Sequence, residues 1–323
     1  MKGSFSPSAV LLWAALSGAV CNPAQAETGL DIEYAQILPL ATESVMLDVV
    51  RSQDGFVAVG ERGHVLLSKD GQTWEQAEIV PTRSTLTTVE ARGGRLWAAG
   101  HNAVIITSGD NGKTWSLEHF DPDRQQAVMD LHFTDPMHGV AMGSYGLRLE
   151  TGDGGKTWFG AVVDEENEFH LNSMVDFGDG RRMIAGEAGY SYRSFDDGET
   201  WEMMDLPYSG SMWDALLTSE GCVIFSGLRG HAMESCDFGD SWKDFDTGTQ
   251  SSLSDAAEYD GMLIFVGNGG TILTRDDGKM QSYMHSSGVD FAAVLAIGDG
   301  KFLLVGEDGV HHYPELLAED ELR

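Results

Sequence analysis

The sequence predicts an all-β chain folded as a seven-bladed β-propeller of four-stranded blades, and three observations carry that prediction. A box of the form Ser/Thr-x-Asp-x-Gly-x-Thr-Trp recurs along it, with aspartates at Asp70, Asp110, Asp153, Asp196, Asp237 and Asp276. These aspartates stand 40, 43, 43, 41 and 39 residues apart, which is the period of a propeller blade. An apolar run ending in Gly-x-x-Gly recurs with it, at Gly60, Gly143, Gly186, Gly227, Gly267 and Gly306, and in altered form at Gly100, where Ala103 takes the place of the second glycine. The hairpins count seven modules, one more than the boxes.

In chain order, residues 1–26 read as a cleaved secretion signal: Lys2, an apolar stretch over 9–20, and the small-x-small site Ala24-Gln25-Ala26. Residues 27–323 read as a single propeller with a short acidic C-terminal tail. No later apolar stretch approaches the roughly 18 to 20 residues of a membrane span. The expected product is therefore soluble and exported, to a periplasm or an equivalent lumen. The segment Tyr34-Ala35-Gln36-Ile37-Leu38-Pro39 resembles the post-box segment ending Ile79-Val80-Pro81, whereas the last module stops after Val310-His311-His312-Tyr313 without a fourth strand. The N-terminal segment is expected to supply that strand and to close the ring without an open sheet edge.

Each module divides into four short strands, for example 86–91, 95–99, 104–107 and 116–120, with the box as the turn between the third and fourth. Turn physics explains the box. A short Asp or Ser side chain accepts from backbone N–H groups one to three residues on, glycine supplies a positive φ, and tryptophan packs the turn against the sheets. Trp74, Trp115, Trp158, Trp201 and Trp242 serve this purpose; the sixth copy is worn and carries Gln281 instead. The box aspartates lie on separate blade peripheries, so they read as structural rather than catalytic or metal-binding. In the fifth module Cys222 and Cys236 fall nearly opposite each other across a hairpin. In an oxidising compartment that placement allows a disulfide worth about 3 kcal/mol, and two separately buried thiols are the alternative.

With 51 acidic residues against 20 basic ones and a formal charge of -31, nucleic acid and anionic lipid are poor partners. A basic or mixed-charge protein segment is favoured instead. The face without boxes collects the turns between second and third strands and the lead-ins to each first strand. It should therefore carry Arg62, Arg83, His101, Arg124, Tyr145, His170, Glu187, Trp213, Arg229, Asn268 and Glu307 around the propeller mouth, a mixture suited to a peptide or protein. No glycine pattern cradles phosphate, and the sequence implies no cofactor and a monomeric chain.

The hairpin and box together, as in Gly60 to Trp74, Gly143 to Trp158 and Gly186 to Trp201, resemble the photosystem II stability and assembly factors of oxygenic phototrophs. The likeness extends over essentially all of the chain after the signal. It implies a non-catalytic Asp-box propeller that holds a newly made membrane-protein subunit during assembly. That family uses an arginine-rich patch, whereas only Arg62, Arg83, Arg124 and Arg229 are available near the mouth of this chain, so another envelope complex, such as a transporter, is an equal expectation for the client. The competing class is a glycoside hydrolase, since Asp boxes also occur in sialidases. The Phe/Tyr-Arg-Ile-Pro signature and arginine cluster of sialidases are absent, and seven modules differ from their six blades; a two-carboxylate hydrolase at the mouth is the remaining alternative.

Overall fold

A computed structural model describes residues 32–315. The expected secretion signal and the tail from residue 316 lie outside the described residues. Seven antiparallel sheets follow one another along the chain, six of four strands and the last of three. They occupy 46–76, 86–119, 128–160, 171–204, 212–244, 253–284 and 291–313, and form blades one to seven in that order. Each innermost strand packs against that of the next blade, and the seventh against the first, so the ring is closed.

Blade two shows how the sequence builds the unit. Its strands are Leu86–Arg92, Arg95–Gly100, Ile105–Ser108 and Ser116–His119, each bound within one residue of the sequence reading. The second strand of every blade is sandwiched between neighbouring sheets and buried on both faces, which is why 56–60, 96–100 and 263–267 read as unbroken apolar runs rather than alternating ones. The glycine ending each run is needed for close approach: a Cβ on Gly60 would fall 2.1 Å from the carbonyl oxygen of Val45.

Five boxes close their turns with one bonding scheme. In blade three, Asp153 Oδ1 accepts from the Thr157 N–H at 2.9 Å and Oδ2 accepts from the Thr157 hydroxyl at 2.6 Å. The Thr151 hydroxyl receives the Gly155 N–H, and Trp158 Nε1 donates to the Gly155 carbonyl. Hydrogen bonds from Thr157 hold the Asp153 carboxyl down at about 2. Asp110, Asp196 and Asp237 are bonded alike, with Ser241 replacing the threonine at the last, whereas Asp70, in the box one residue shorter, accepts the Gln72 and Thr73 N–H groups on Oδ1. Trp74, Trp115 and Trp201 make the same indole bond as Trp158, whereas Trp242 Nε1 is buried without a partner. Replacing Asp153 by Ala is expected to lower the melting temperature while leaving partner binding intact; a variant of unchanged stability that fails to bind would contradict the structural role.

Two expectations are corrected. Asp276 belongs to no box: it pairs with Lys279 at the end of a regular hairpin turned by Asp277 and Gly278, both at positive φ. Without a Thr-Trp pair to anchor a wide turn, the two strands simply run on to a two-residue one. Nor does the N-terminal segment become the fourth strand of blade seven. The Ala35 N–H donates to the Val80 carbonyl, and the Gln76 side chain bonds both the Gln36 carbonyl and the Leu38 N–H, so 34–38 lies against blade one. The seventh sheet keeps three strands among the described residues.

The closing join is held by packing instead. Leu38 and Ala41 fill a core formed by Met46, Val49, Phe56 and Leu66 of blade one with Ala293, Leu303 and Val305 of blade seven. His312 Nε2 donates to the Gly71 carbonyl and Arg51 Nη2 to the Ile297 carbonyl, each across the join. In blade five, Cys222 and Cys236 are joined as a disulfide beside the Val223–Ser235 pair, with Cα atoms 4.1 Å apart.

Candidate functional site

The mouth is built from turns whose middle residue is held in the left-handed region: Arg62 (φ 56), Asn102 (φ 62), Tyr145 (φ 55), Ala188 (φ 54), Arg229 (φ 57) and Asp308 (φ 60). Glycine would adopt this conformation without strain, yet only Gly269 does so in this position around the ring. The chain thus accepts a backbone cost in several blades to present a long or polar side chain at the rim.

The turns are braced from the lead-ins, by those of the following blade at Ala188 and Gly269 and by that of its own blade at Asn102. The Ala188 N–H donates to Ser211 Oγ, the Gly269 N–H to Asp290 Oδ1 at 2.6 Å, and Asn102 Nδ2 to Ser84 Oγ. Asn268 Nδ2 also donates to Asp290, whose own N–H reaches Glu307, so Asn268 and Glu307 belong to one network.

The sequence-derived residues divide into groups. Tyr145, His170 and Glu187 come together: the Tyr145 and His170 rings meet edge to face at 5.0 Å, and His170 Nδ1 lies 3.8 Å from Glu187. Arg62 faces Glu61 at 3.9 Å, Arg83 faces Glu33 at 3.7 Å, and Arg124 is bonded to Asp121 at 2.9 Å. Only Arg229 of the four mouth arginines has no carboxylate within 4.0 Å among the described residues. His101 is exposed and its N–H is tied to the Thr85 carbonyl. Trp213 sits not in a turn but on the innermost strand of blade five, at a β-bulge, with 36% of its surface exposed.

Aromatic rings concentrate in one sector of the rim. Beside Tyr145 and His170, Phe169 stacks on Tyr190 at 3.8 Å and Tyr208 stacks on His231 at 3.7 Å. The lead-ins supply Phe169 and Tyr208 and the turns supply Tyr145 and Tyr190, so blades three to five offer flat apolar faces where the other blades offer polar turns.

Sequence reading missed the inner wall. Every innermost strand carries a bulge after its first residue, and the next paired position is Asp48, Thr88, Asp130, Ser173, Asp214, Asp255 or Ala293. Five of these side chains reach across to the next blade. Asp48 accepts the Val89 N–H at 2.7 Å, Asp130 that of Met174 at 2.7 Å, Ser173 that of Ala215, Asp214 that of Ala256, and Asp255 that of Val294. Between blades two and three the bulged Thr87 donates instead to the Val128 carbonyl. The belt satisfies backbone groups that would otherwise be orphaned on an edge strand. Its signal in the sequence was an acidic residue 12 or 13 positions before four of the hairpin glycines, 60, 143, 227 and 267.

Burial makes these groups hard to ionise. Asp48 and Asp130 are pushed up to about 6, Asp214 and Glu90 to about 7, and Asp255 well above the usual carboxylate range. Desolvation is the largest cause in each case, and repulsion between neighbouring belt carboxylates adds to it at Asp130, Asp214 and Asp255. Among the described residues, the metal-ligating groups that converge closely are Cys222, Glu234 and Cys236, and a disulfide sulfur is not a thiolate ligand. No described helix is long and apolar enough to cross a membrane.

The profile of the family described as photosynthesis system II assembly factor YCF48 matches this chain over residues 30–123 and again over 117–209. Among solved structures, YCF48 from Cyanidioschyzon merolae is similar, with a TM-score of 0.68 and 21% identity, over 86% of this chain and 97% of that one. A structure of YCF48 bound to D1 peptide is similar with a TM-score of 0.69 and 19% identity, over 86% and 94%. The WD40 propeller domain of Doa1 is similar too, at 0.67 and 15% identity, over 87% and 96%, a likeness of fold alone. No curated protein matches the chain.

Proposed function

The chain belongs to the photosynthesis system II assembly factor YCF48 family, and from that premise we propose that it is a non-catalytic platform whose mouth receives an exposed segment of a membrane-protein subunit during assembly of its complex. The observation that carries this reading is the rim itself, where left-handed turns hold Arg62, Tyr145 and Arg229 outward beside the aromatic sector of blades three to five. Aromatic and arginine side chains on a rigid frame are the usual anchors of a protein interface. A relative in this family has been solved with a D1 peptide bound. By that likeness the client is the corresponding subunit of a photosystem, or a segment of another envelope complex such as a transporter.

The acidic surface selects a client segment that is basic or of mixed charge. The propeller would work as an exported monomer after loss of its leader. Binding rather than catalysis is favoured by the belt carboxylates, four of which are committed to backbone N–H groups of the next blade. Glu90, pushed up to about 7, makes no such bond among the described residues and is where a glycoside hydrolase would find its acid. Turnover of a glycoside panel that Glu90→Gln abolishes would establish that second reading.

The test is mild crosslinking of the tagged protein in its native host, with capture and mass spectrometry. The wild type is expected to retain one membrane-protein subunit, and an Arg62→Glu/Arg229→Glu double variant to lose at least tenfold of it at unchanged melting temperature. Equal capture by the two proteins would remove the mouth from the interface.

A further inference from the structure

On one stretch of the rim the blade-three turn 144–146, the lead-in 161–170 and the blade-four turn 187–189 are bonded together. The Gly146 N–H donates to the Phe169 carbonyl and the Glu187 N–H to the His170 carbonyl, each at 3.0 Å. These ties bring Tyr145, His170 and Glu187 side by side, with Tyr145 58% exposed at the front and the Phe169–Tyr190 stack adjoining. The same turn abuts the next lead-in, since a Cβ on Gly189 would fall 3.0 Å from Ser209 Cα, next to Tyr208.

Elsewhere the chain covers its aromatic faces with its own arginines. Arg51 lies over Phe56, Arg95 over Trp97, and both Arg181 and Arg193 over Phe238. Among the described residues no arginine lies over Tyr145, Phe169, Tyr190 or Tyr208. Glu187 is open in the same way. Its Oε2 accepts the His170 N–H at 3.2 Å, its Oε1 makes no hydrogen bond among the described residues, and no described Lys or Arg stands within 4.0 Å of it.

The surrounding charge is of one sign. Between Arg148 and Arg181 the sequence holds a single Lys or Arg, Lys156, and that belongs to the box on the opposite face. The lead-in carries Asp164 and the exposed Glu165, Glu166 and Glu168. Asp164 holds the loop in place by accepting from the Glu166 N–H at 2.8 Å, Asn167 Nδ2 at 3.0 Å and the Tyr192 hydroxyl at 2.9 Å. An aromatic face is negative at its centre, so an exposed ring beside an unpaired carboxylate in an acidic surround is complementary to an organic cation.

We propose that this sector binds a lysine or arginine side chain of the client segment, with its apolar stem along the Tyr145 ring and its charged head at Glu187 Oε1. The assignment rests on the client reading and adds the anchor residue to it. Its polarity is the reverse of an arginine-rich patch.

Fluorescence anisotropy of the purified protein with three labelled peptides tests the assignment, each a short neutral Gly/Ser/Tyr host carrying two arginines, two lysines or two glutamates. The basic peptides are expected to bind saturably with a Kd below about 1 mM, and the glutamate peptide at least about tenfold more weakly. Tighter binding of the arginine peptide assigns guanidinium chemistry, and tighter binding of the lysine peptide assigns ammonium chemistry. Glu187→Gln keeps an oxygen for the His170 N–H and should weaken the basic peptides about fivefold at unchanged melting temperature, and Tyr145→Ala should weaken them about tenfold. Glu199→Gln removes the same charge from the exposed box turn of blade four and should change binding by less than about twofold. Equal weakening by the Glu187 and Glu199 variants would make the effect one of bulk charge and overturn the proposal. So would a lack of saturable binding by both basic peptides. Capture of a client in the native host that Tyr145→Ala leaves undiminished overturns the subsite while the client reading stands, whereas a wild type that captures nothing removes both.

Discussion

Lowering the pH from 8 to 5 is expected to raise the melting temperature of this protein, the reverse of what salt-bridged carboxylates produce. Asp48, Asp130, Asp214, Asp255 and Glu90 are half-buried along the inner wall and all have carboxyls held above their ordinary values, with Asp48 and Asp130 at about 6 and Asp214 and Glu90 at about 7. A carboxyl of raised pKa binds its proton more tightly in the folded chain than in the unfolded one. Between about pH 4 and pH 7 folding therefore takes up protons, and stability falls as pH rises through that window. The benefit is fully present below the unfolded values near 4 and is lost above about 7. Because these carboxyls are only half-buried, each contributes on the order of 1 to 3 kcal/mol. The box aspartates act in the opposite sense. Asp153 is held at about 2, so its contribution is lost only as pH falls below about 4. Among these carboxyls stability is greatest near pH 4 to 5; His64, His119, His285 and His312, which burial holds below their ordinary value, oppose the trend as pH falls. Asp214→Asn keeps an oxygen to accept the Ala256 N–H while removing the titration, and should flatten the profile between pH 5 and 8. A wild-type curve that is flat or rising with pH over that interval would refute the account.

Trp97→Ala should be among the most costly single substitutions in the ring. Trp97 is fully buried in the second strand of blade two, where blades one, three and four carry Val57, Val140 and Met183. Its ring stacks on Phe133 of blade three at 3.8 Å, and Phe133 in turn meets the box residue Trp158 edge to face at 6.0 Å. Its indole N–H donates to the Gly154 carbonyl inside the blade-three box at 2.9 Å. Removing it opens a cavity between two blades, about 3 to 5 kcal/mol, and strands a buried carbonyl, about 1 kcal/mol more. At roughly 2 to 4 °C per kcal/mol for a domain of this size, the melting temperature should drop by about 10 °C or more. Trp97→Phe should recover part of the loss through the restored stack but not the hydrogen bond. A fall of less than about 1 kcal/mol in urea unfolding of Trp97→Ala would show that the two blades do not depend on this contact.

The substitutions also separate stability from function. Trp97 and Asp214 lie in the body of the ring, whereas Arg62 and Arg229 are exposed at its rim. Variants of the first kind are expected to move melting curves and those of the second kind to move capture of the client, so each reading can fail without the other.

Blade number, strand bounds and the five working boxes were legible in the sequence because each is a local device. Asp153, Thr157 and Trp158 fall within one turn, so their spacing carries the geometry, and the repeat period carries the ring. The sixth box failed as a reading because Asp276 kept the motif's aspartate without the Thr-Trp pair that anchors it. What only the tertiary structure decided lies between blades. His312 bonds Gly71, which is 241 positions away, Asp48 bonds Val89 across 41, and Arg51 bonds Ile297 across 246. The N-terminal segment resembles a missing fourth strand, yet Gln76 holds it on blade one. Local pattern fixes what each blade is; which groups then meet depends on how neighbouring blades pack, and backbone hydrogen bonding at their shared edges settles that.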